Sequence, residues 1–365
     1  MGNAVREPEH SERLLEGLAL SIGVASWETS GVTAMIAETF AKLGCQVQNF
    51  HPDEALPSAL DAVFIFGPDG SIVPLVDRLL AVPTGERPIL AFQHAEQLPN
   101  PKLPEALVQP VSQLRSGIER ALVRRQQMSD APWVSTLKKM VSPGTRFRYC
   151  GDLRWLHKTG LSYVLAIASV WRADILRRQG FHVIATPAFG FPNQPEWGAD
   201  LALERDIPVL WIGKAGSKRR ARLLAQVRNE LQVRNVELMV IDGVENPYVF
   251  GEERTALLNR TKVVLNLLRA PWDENAGRYY LAALNRAMIV TEPTLPHHPP
   301  FVAGVHLVES PIEKIADSIC YYLSHEEERM KIADQAFGLV TTDMAIDRTV
   351  ESIIDTIVQL KNISN

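Results

Sequence analysis

Short, nearly continuous apolar segments alternate with longer segments of helical periodicity between residues 207 and 292. Each apolar segment has the length of one strand and contains few polar residues, which is typical of strands buried on both faces of a parallel sheet. The helical patterns between them are long enough to cross from one strand to the next. This region is therefore predicted to be a doubly wound α/β unit. The predicted strands are Ile207–Ile212, Val236–Ile241, Val263–Leu268 and Met288–Val290.

The first half of the chain repeats this alternation, and 365 residues with 46% hydrophobic content can form two cores. Prolines and glycines interrupt the pattern between residues 187 and 200, which indicates a domain junction. We therefore expect the α/β class, with two Rossmann-like doubly wound domains facing a cleft. Their predicted limits are residues 1–186 and 201–343, joined by a linker at 187–200 and followed by a final amphipathic helix within 344–365. The strands predicted in the first half are residues 18–25, 47–50, 62–66, 89–92, 162–168 and 181–186, and the helices are residues 32–43, 103–127 and 171–179.

Charge and composition point away from nucleic acid, secretion and a membrane span. The net charge is only -4, residues 1–13 are polar, unlike a secretory signal, and no run of about 18 apolar residues occurs. Cys45, Cys150 and Cys320 are far apart and show no metal-binding or disulfide spacing, which favours a reducing compartment. We expect a soluble cytoplasmic protein that binds no nucleic acid.

The sequence also lacks the common hydrolase and metalloprotease motifs. It has no Ser/His/Asp order, no CxxC pair and no H-E-x-x-H helix. His297 and His298 are adjacent but have no third ligand at a useful spacing. We therefore predict neither a metal site nor a bound cofactor.

Two loops at the predicted carboxyl ends of strands have the chemistry of an anion site. The first contains Gly213, Lys214, Gly216 and Ser217 and leads into Arg219 and Arg220, and the second contains Asn275, Gly277 and Arg278. Ligands of open α/β sheets lie at this edge, where helix N-termini and arginines can hold a phosphate or diphosphate. Alternatively, the basic residues at 218–220 are the solvated first turn of an ordinary helix.

The order of motifs in this half resembles the C-terminal domain of group 1 glycosyltransferases, and most of all their spore-maturation-type (CgeB-like) branch. Asn266, Arg278, Tyr280, Ala282 and the strand end Thr291-Glu292 follow the order of the family's Asn, its R-x-F-E-A-L-A-C-G segment and its T-E strand end. Residues 322–333 resemble the closing helices, and the similarity covers roughly residues 180–355. Leu281 departs from the pattern because the family has a glutamate there, and Asn285-Arg286 stand in place of Cys-Gly.

The resemblance implies a GT-B glycosyltransferase that moves a sugar from a nucleotide-diphosphate donor, without a metal and with retention of configuration. Its final helix would cross back onto the first domain. The donor would contact residues of both loops and Tyr280, and Glu292 would replace the carboxylate lost at Leu281. Because Leu281 cannot hydrogen bond a ribose, a catalytically silent binding or scaffolding subunit is an alternative. A nucleotide-sugar epimerase is a third, which would need several carboxylates and histidines in the cleft.

His94 and Glu96 follow a predicted strand of the first domain and are candidates for proton transfer on the acceptor side. Lone histidines are more often structural, so a capping or surface role is the alternative.

A basic segment rich in aromatic residues extends from Arg115 to Lys158. It could attract an anionic acceptor, such as a glycan, lipid or protein, or a membrane surface. A solvated helical face followed by an irregular connection explains it equally well.

Overall fold

The computed structural model describes residues 20–27, 31–67, 71–128, 145–186, 198, 200, 203–214, 216–273, 277–294 and 301–364. These residues form two sheets in which every strand pairing is parallel. Helices connect the strands, so the predicted α/β class with two doubly wound units is confirmed. The predicted junction lies outside the described residues apart from 198 and 200, and the domain limits stay a prediction.

The first sheet has the strand order β2-β1-β3-β4-β5-β6. Its strands are β1 (Ser21–Ala25), β2 (Gln46–Phe50), β3 (Ala62–Gly67), β4 (Ile89–His94), β5 (Tyr163–Ile167) and β6 (Val183–Ala185). The helices are α1 (Val32–Lys42), α2 (Val73–Ala81), α3 (Glu105–Met128), α4 (Thr145–Lys158) and α5 (Val170–Arg178). Helix α4 lies where we expected an irregular connection, and it packs along α3.

The second sheet has the order β11-β10-β9-β7-β8. Its strands are β7 (Ile207–Ile212), β8 (Leu238–Ile241), β9 (Thr261–Asn266), β10 (Met288–Thr291) and β11 (Val308–Glu309), and its helices are α6 (Lys218–Val233), α7 (Gly251–Asn259), α8 (Gly277–Leu284), α9 (Ile315–Ser324) and α10 (Glu326–Thr341). Strand β7 lies between β8 and β9, so the chain winds outward from it in both directions. The carboxyl ends of β7 and β9 therefore flank the switch point at which open α/β sheets bind ligands.

The final helix, α11 (Ile346–Ser364), packs against the first sheet rather than the second. Buried residues of this helix, among them Ile353 and Ile357, join one apolar cluster that includes residues of both sheets. Two ion pairs fix the helix on the first domain, Lys42 with Asp347 at 2.7 Å and Lys361 with Asp61. The two sheets consequently share part of their core.

Candidate functional site

The loop after β7 turns sharply over the carboxyl edge of the second sheet. Gly213 adopts a φ of 111°, a region that favours glycine, and its N–H donates to the Ile241 carbonyl at 2.8 Å. Ser217 then caps α6, because its hydroxyl accepts from the Arg220 N–H at 3.2 Å. This geometry places Arg219 and Arg220 in the first turn of α6, at the switch point.

Arg278 reaches the same place from the first turn of α8. Its Nε donates to the Ile212 carbonyl at 2.6 Å and its Nη1 to Asn266 Oδ1 at 2.9 Å. The guanidinium lies 4.3 Å from the ring centroid of Trp211. Burial, followed by the nearby charge of Arg220, lowers the pKa of Arg278 to about 9, so the group remains protonated at neutral pH.

Arg220 occupies a second position beside the same indole ring, 5.6 Å from its centroid. Its Nη1 donates to the Lys214 carbonyl at 3.1 Å, and its Nη2 lies 3.6 Å from Asp273. Burial lowers the pKa of Arg220 to about 10. Its Nε has no hydrogen-bond partner among the described residues.

Arg220 and Arg278, the arginine pair, therefore bring together two positive charges, of which Arg220 is buried and Arg278 partly buried. Asp273 is buried as well, and it is the carboxylate that forms an ion pair with Arg220. Two such guanidiniums beside one carboxylate leave an excess of positive charge in a region of low dielectric, where an anion would be strongly attracted. The arginine pair therefore has the charge expected of an anion site, and its predicted role in diphosphate binding stays a prediction.

Arg219, which was predicted to contact the diphosphate, forms an ion pair with Glu292. Its guanidinium bonds to both carboxylate oxygens of Glu292, with Nη1 to Oε1 at 3.0 Å. The Leu268 N–H also donates to Glu292 Oε1 at 2.7 Å. Glu292 is only 6% exposed, whereas the Arg219 side chain is 30% exposed. A phosphate at Arg219 or a sugar at Glu292 would have to share or displace this ion pair.

The other residues that were predicted to contact the donor lie partly in the two loops and partly in the core. Gly216, with a φ of 66°, lies in the loop before α6, and Lys214 is exposed there. Gly277 begins α8, while Asn275 lies outside the described residues. Tyr280 is 1% exposed, and its ring centroid lies 5.9 Å from that of Phe301. Tyr280 therefore packs in the core, and the predicted donor contact would require this packing to open.

Sequence reasoning missed Trp211 and Asp273. Trp211 looked like an ordinary residue of a buried strand, yet it packs beside both guanidiniums and donates from Nε1 to the Gly213 carbonyl at 2.9 Å. Asp273 Oδ2 accepts from the Arg269 N–H at 3.1 Å. The available signal was the tryptophan next to the last residue of the strand that precedes the basic loop.

Comparison with known proteins bears on this arrangement. Residues 219–355, a little over a third of the chain, match a protein family described as glycosyl transferase-like. No curated protein matches the sequence. Sucrose-phosphate synthase from Thermosynechococcus elongatus has 11% identity and a TM-score of 0.58 over 94% of this chain and 100% of that chain. HepE from Anabaena, solved with UDP-glucose, has 10% identity and a TM-score of 0.53 over 93% and 100%.

The chain described here has the GT-B fold of glycosyltransferases. S. aureus TarM is similar as well, with 12% identity and a TM-score of 0.50. The alignment covers 82% of this chain but 54% of TarM, so the chain spans about half the length of that protein. The GT-B architecture expected from the sequence is confirmed, and the CgeB-like branch stays a prediction.

On the first domain of this GT-B fold, His94 ends β4 and is buried. Burial, followed by the charge of Arg172, lowers its pKa to about 3, so His94 is neutral at physiological pH. Its Nε2 has no hydrogen-bond partner among the described residues, and the ring centroid of Tyr149 lies 6.0 Å away. Glu96 is half-buried in the loop that follows β4. The predicted proton transfer at His94 and Glu96 stays a prediction.

The two domains touch at the carboxyl edge of the second sheet. Arg146, in the first turn of α4, lies 5.5 Å from the ring centroid of Trp272, next to Asp273. The loop after β9 therefore contacts the first domain directly. The arginine pair consequently lies close to the boundary between the domains.

Ion pairs neutralise much of the basic segment. Arg148 pairs with Glu119 at 2.9 Å, Arg154 pairs with Glu105, and Arg124 pairs with Asp77 at 2.7 Å. Burial raises the pKa of Asp152 to about 6, although Ser116 donates to its carboxylate. Lys138 and Lys139 lie outside the described residues. Arg148 and Arg154 therefore hold α4 to α3, and Arg124 holds α3 to α2.

Neither a metal site nor a membrane-spanning helix is found in the described residues. No group of three or more His, Cys, Asp or Glu side chains there could hold a metal ion. None of the helices described is long and apolar enough to cross a bilayer.

Proposed function

We propose that this protein is a glycosyltransferase that moves a sugar from a nucleotide-diphosphate donor to an acceptor, with retention of configuration and without a metal. The observation that carries this proposal is the arginine pair, held beside Trp211 at the switch point of the second sheet. The glycosyl transferase-like match includes both arginines. HepE, which shares the fold, was solved with UDP-glucose, and a donor of that kind carries the diphosphate that such a site would bind.

The arginine pair would act on the leaving group. When the bond between sugar and diphosphate breaks, negative charge grows on the departing phosphate oxygens. Arg220 and Arg278 are already oriented by carbonyls of Lys214 and Ile212, so they need little reorganisation to stabilise that charge. The N-termini of α6 and α8 add their partial positive charges. This charge supplies the electrostatic stabilisation that a metal provides in other transferases, which is why we propose metal independence.

Glu292 and Glu96 have supporting roles in this proposal. Glu292 lies beside Arg219 at the end of β10 and accepts from the Leu268 N–H. It orients Arg219 and offers its remaining lone pairs to donor hydroxyls, in place of the carboxylate lost at Leu281. Of the two predicted acceptor-side residues, we propose Glu96, in the loop after β4, as the group that takes the acceptor's proton. His94 is a weak base, because burial lowers its pKa to about 3.

Nucleoside diphosphates should stabilise the protein. Binding to the folded state alone at one hundred times Kd adds about 2.7 kcal/mol, which corresponds to a rise in Tm of roughly 3 °C for a chain of this size. UDP, ADP, GDP and UDP-glucose would be screened by thermal shift, followed by calorimetry and a donor-hydrolysis assay. Absence of binding by every nucleoside diphosphate would contradict the proposed function.

A catalytically silent subunit is the second candidate, and Leu281 favours it. This side chain is half-buried and packs against the apolar cluster shared by the sheets, where it offers no hydrogen bond. Under this alternative, the wild-type protein binds no donor and Leu281→Glu restores binding. If wild type binds and hydrolyses donor while Leu281→Glu only changes the affinity, the enzyme assignment is supported.

A membrane surface is a further partner that this proposal includes, through an apolar stripe on α3. Leu107 and Leu114 are 63% and 65% exposed, and Val111 lies between them on the same face. Both carboxylates of α3, Glu105 and Glu119, bond to arginines of α4. Arg124 pairs with Asp77, and the sequence of α3 also contains Arg120 and Arg125 toward its C-terminal end. An exposed apolar stripe that is followed by basic residues fits the interface of an anionic bilayer.

Vesicle flotation tests this contact. We expect wild type to float with vesicles of three parts phosphatidylcholine to one part phosphatidylglycerol, less with pure phosphatidylcholine, and less as salt rises. Leu107→Gln with Leu114→Gln should abolish flotation. Val244→Gln, which changes a residue that is exposed on the second domain, should leave it unchanged. Equal flotation of the double variant and wild type, or none for wild type, would rule out the contact.

A further inference from the structure

An exposed tyrosine lies at the carboxyl edge of the second sheet, on the loop that joins β8 to α7. Tyr248 is 37% exposed. Tyrosine rings combine a large apolar face with a polar tip, and for that reason they are enriched at interfaces. Neither the diphosphate site nor the proposed mechanism uses this ring.

The loop holds Tyr248 in a defined position. Asp242 Oδ1 accepts from the N–H groups of Val244 and Glu245 at 2.9 and 2.8 Å. Asn246 Nδ2 donates to the Val240 carbonyl at 2.8 Å, and the Gly243 N–H donates to the Asn246 carbonyl at 2.9 Å. These bonds close the loop on the end of β8 and leave it little freedom to move.

Gly243 is required for the position of the ring. It has a φ of 78°, and a Cβ atom there would lie 2.3 Å from Cε2 of Tyr248. The ring therefore packs directly on the backbone of Gly243, where even a methyl group does not fit. The ring is held against the backbone in this way, while more than a third of Tyr248 stays exposed.

The ring is connected to the anion site through Lys214. The Lys214 ammonium lies 5.9 Å from the Tyr248 ring centroid, and the Lys214 carbonyl accepts from Arg220. The preceding residue, Gly213, lies against Arg278, because a Cβ there would be 3.0 Å from Nη2. Lys214 therefore lies between the Tyr248 ring, on the β8 side, and the arginine pair that would hold the diphosphate.

We propose that Tyr248, positioned by Gly243, is the stacking platform for the nucleoside of a nucleoside diphosphate. This inference rests on the proposed function, because it assigns the part of the ligand that adjoins the diphosphate at the arginine pair. A nucleobase presents an aromatic face, and a tyrosine ring stacks on such a face whichever base it is. Lys214 adds a positive charge beside the ring, next to the phosphates of the same ligand.

Calorimetry with two probes separates the platform from the anion site. UDP contains both base and diphosphate, whereas inorganic pyrophosphate contains the diphosphate alone, and ADP and GDP serve as parallel probes. We expect Tyr248→Ala to weaken UDP binding roughly 5- to 150-fold, the range for one base–aromatic stack. Pyrophosphate affinity should stay the same. Tyr248→Phe, which keeps the ring, should restore nucleotide affinity.

Two further variants keep the test specific. Gly243→Ala should give the same selective loss, because the added methyl group displaces the ring. Tyr321→Ala removes a comparably exposed tyrosine from α9, which contributes no residue to this site, and should change neither probe. Circular dichroism would verify that each variant is folded.

The outcomes distinguish the two proposals. If the nucleotides bind Tyr248→Ala as tightly as wild type, the platform is wrong and the diphosphate site remains. Equal affinity of wild type for nucleotides and pyrophosphate also overturns the platform. If neither nucleotides nor pyrophosphate bind wild type, the proposed function itself fails.

Discussion

Arg278→Ala should weaken UDP binding by roughly 1.5 to 3 kcal/mol, about 10- to 150-fold, the range for a charge-assisted hydrogen bond to a ligand. The side chain is partly buried beside Trp211 and carries one of the two positive charges of the arginine pair. Pyrophosphate affinity should fall with that of UDP, because the lost charge acts on the diphosphate. Isothermal calorimetry would measure both.

Arg222→Ala is the matched control for this variant. It removes the same charge from an exposed position on α6, two residues beyond Arg220, and should leave both affinities within about twofold because exposed charges are screened. Arg278→Ala should also be less stable, since Asn266 Oδ1 and the Ile212 carbonyl lose a donor. A folded variant with wild-type UDP affinity would exclude Arg278 from the site.

Glu292→Gln should reduce turnover by roughly 100-fold, comparable to the loss of one preorganised electrostatic contact in other enzymes. Substitution by an amide removes the charge that orients Arg219 and breaks a two-point ion pair that is largely buried. The free energy of unfolding should fall by about 1 to 3 kcal/mol as well, because the bond from the Leu268 N–H weakens at the same time. The fold itself should remain. Steady-state donor turnover and urea denaturation would measure the two effects.

Arg219→Ala distinguishes two ways in which Glu292 could act. If Glu292 only orients Arg219, both variants and their combination should lose the same turnover, because each breaks the same pair. If Glu292 also contacts the donor, Glu292→Gln should lose more than Arg219→Ala. Unchanged turnover in Glu292→Gln would contradict any role for this carboxylate.

The strands were predictable from the sequence because both faces of each sheet are covered. The apolar run Ile207–Ile212 coincides with β7, and every other predicted strand overlaps an observed one. Helix α4 was missed because its polar side chains are satisfied by α3. Arg148 pairs with Glu119, 29 residues earlier in the chain, and Ser116 donates to Asp152. No local periodicity signals such partners.

The sequence predicted where the candidate site lies, but not which of its side chains form ion pairs with one another. Strand ends and glycines located the two basic loops, since parallel topology brings them to one edge. The bonds of Arg219 to Glu292 join residues 73 positions apart, which no spacing rule indicates. Trp211 stands in an apolar run, which predicts packing in the core. The structure does bury it fully, but its ring also lies beside two guanidiniums, a contact that the sequence does not indicate.

The placement of α11 has a consequence for synthesis on the ribosome. Asp61 pairs with Lys361, 300 residues later, and Ile353 and Ile357 cover part of a sheet whose first strand is Ser21–Ala25. The earliest strands to emerge are therefore among the last to complete their core. Until residues 346–364 are made, apolar surface of the first domain stays exposed, and the nascent chain is a natural client for chaperones that shield such surfaces.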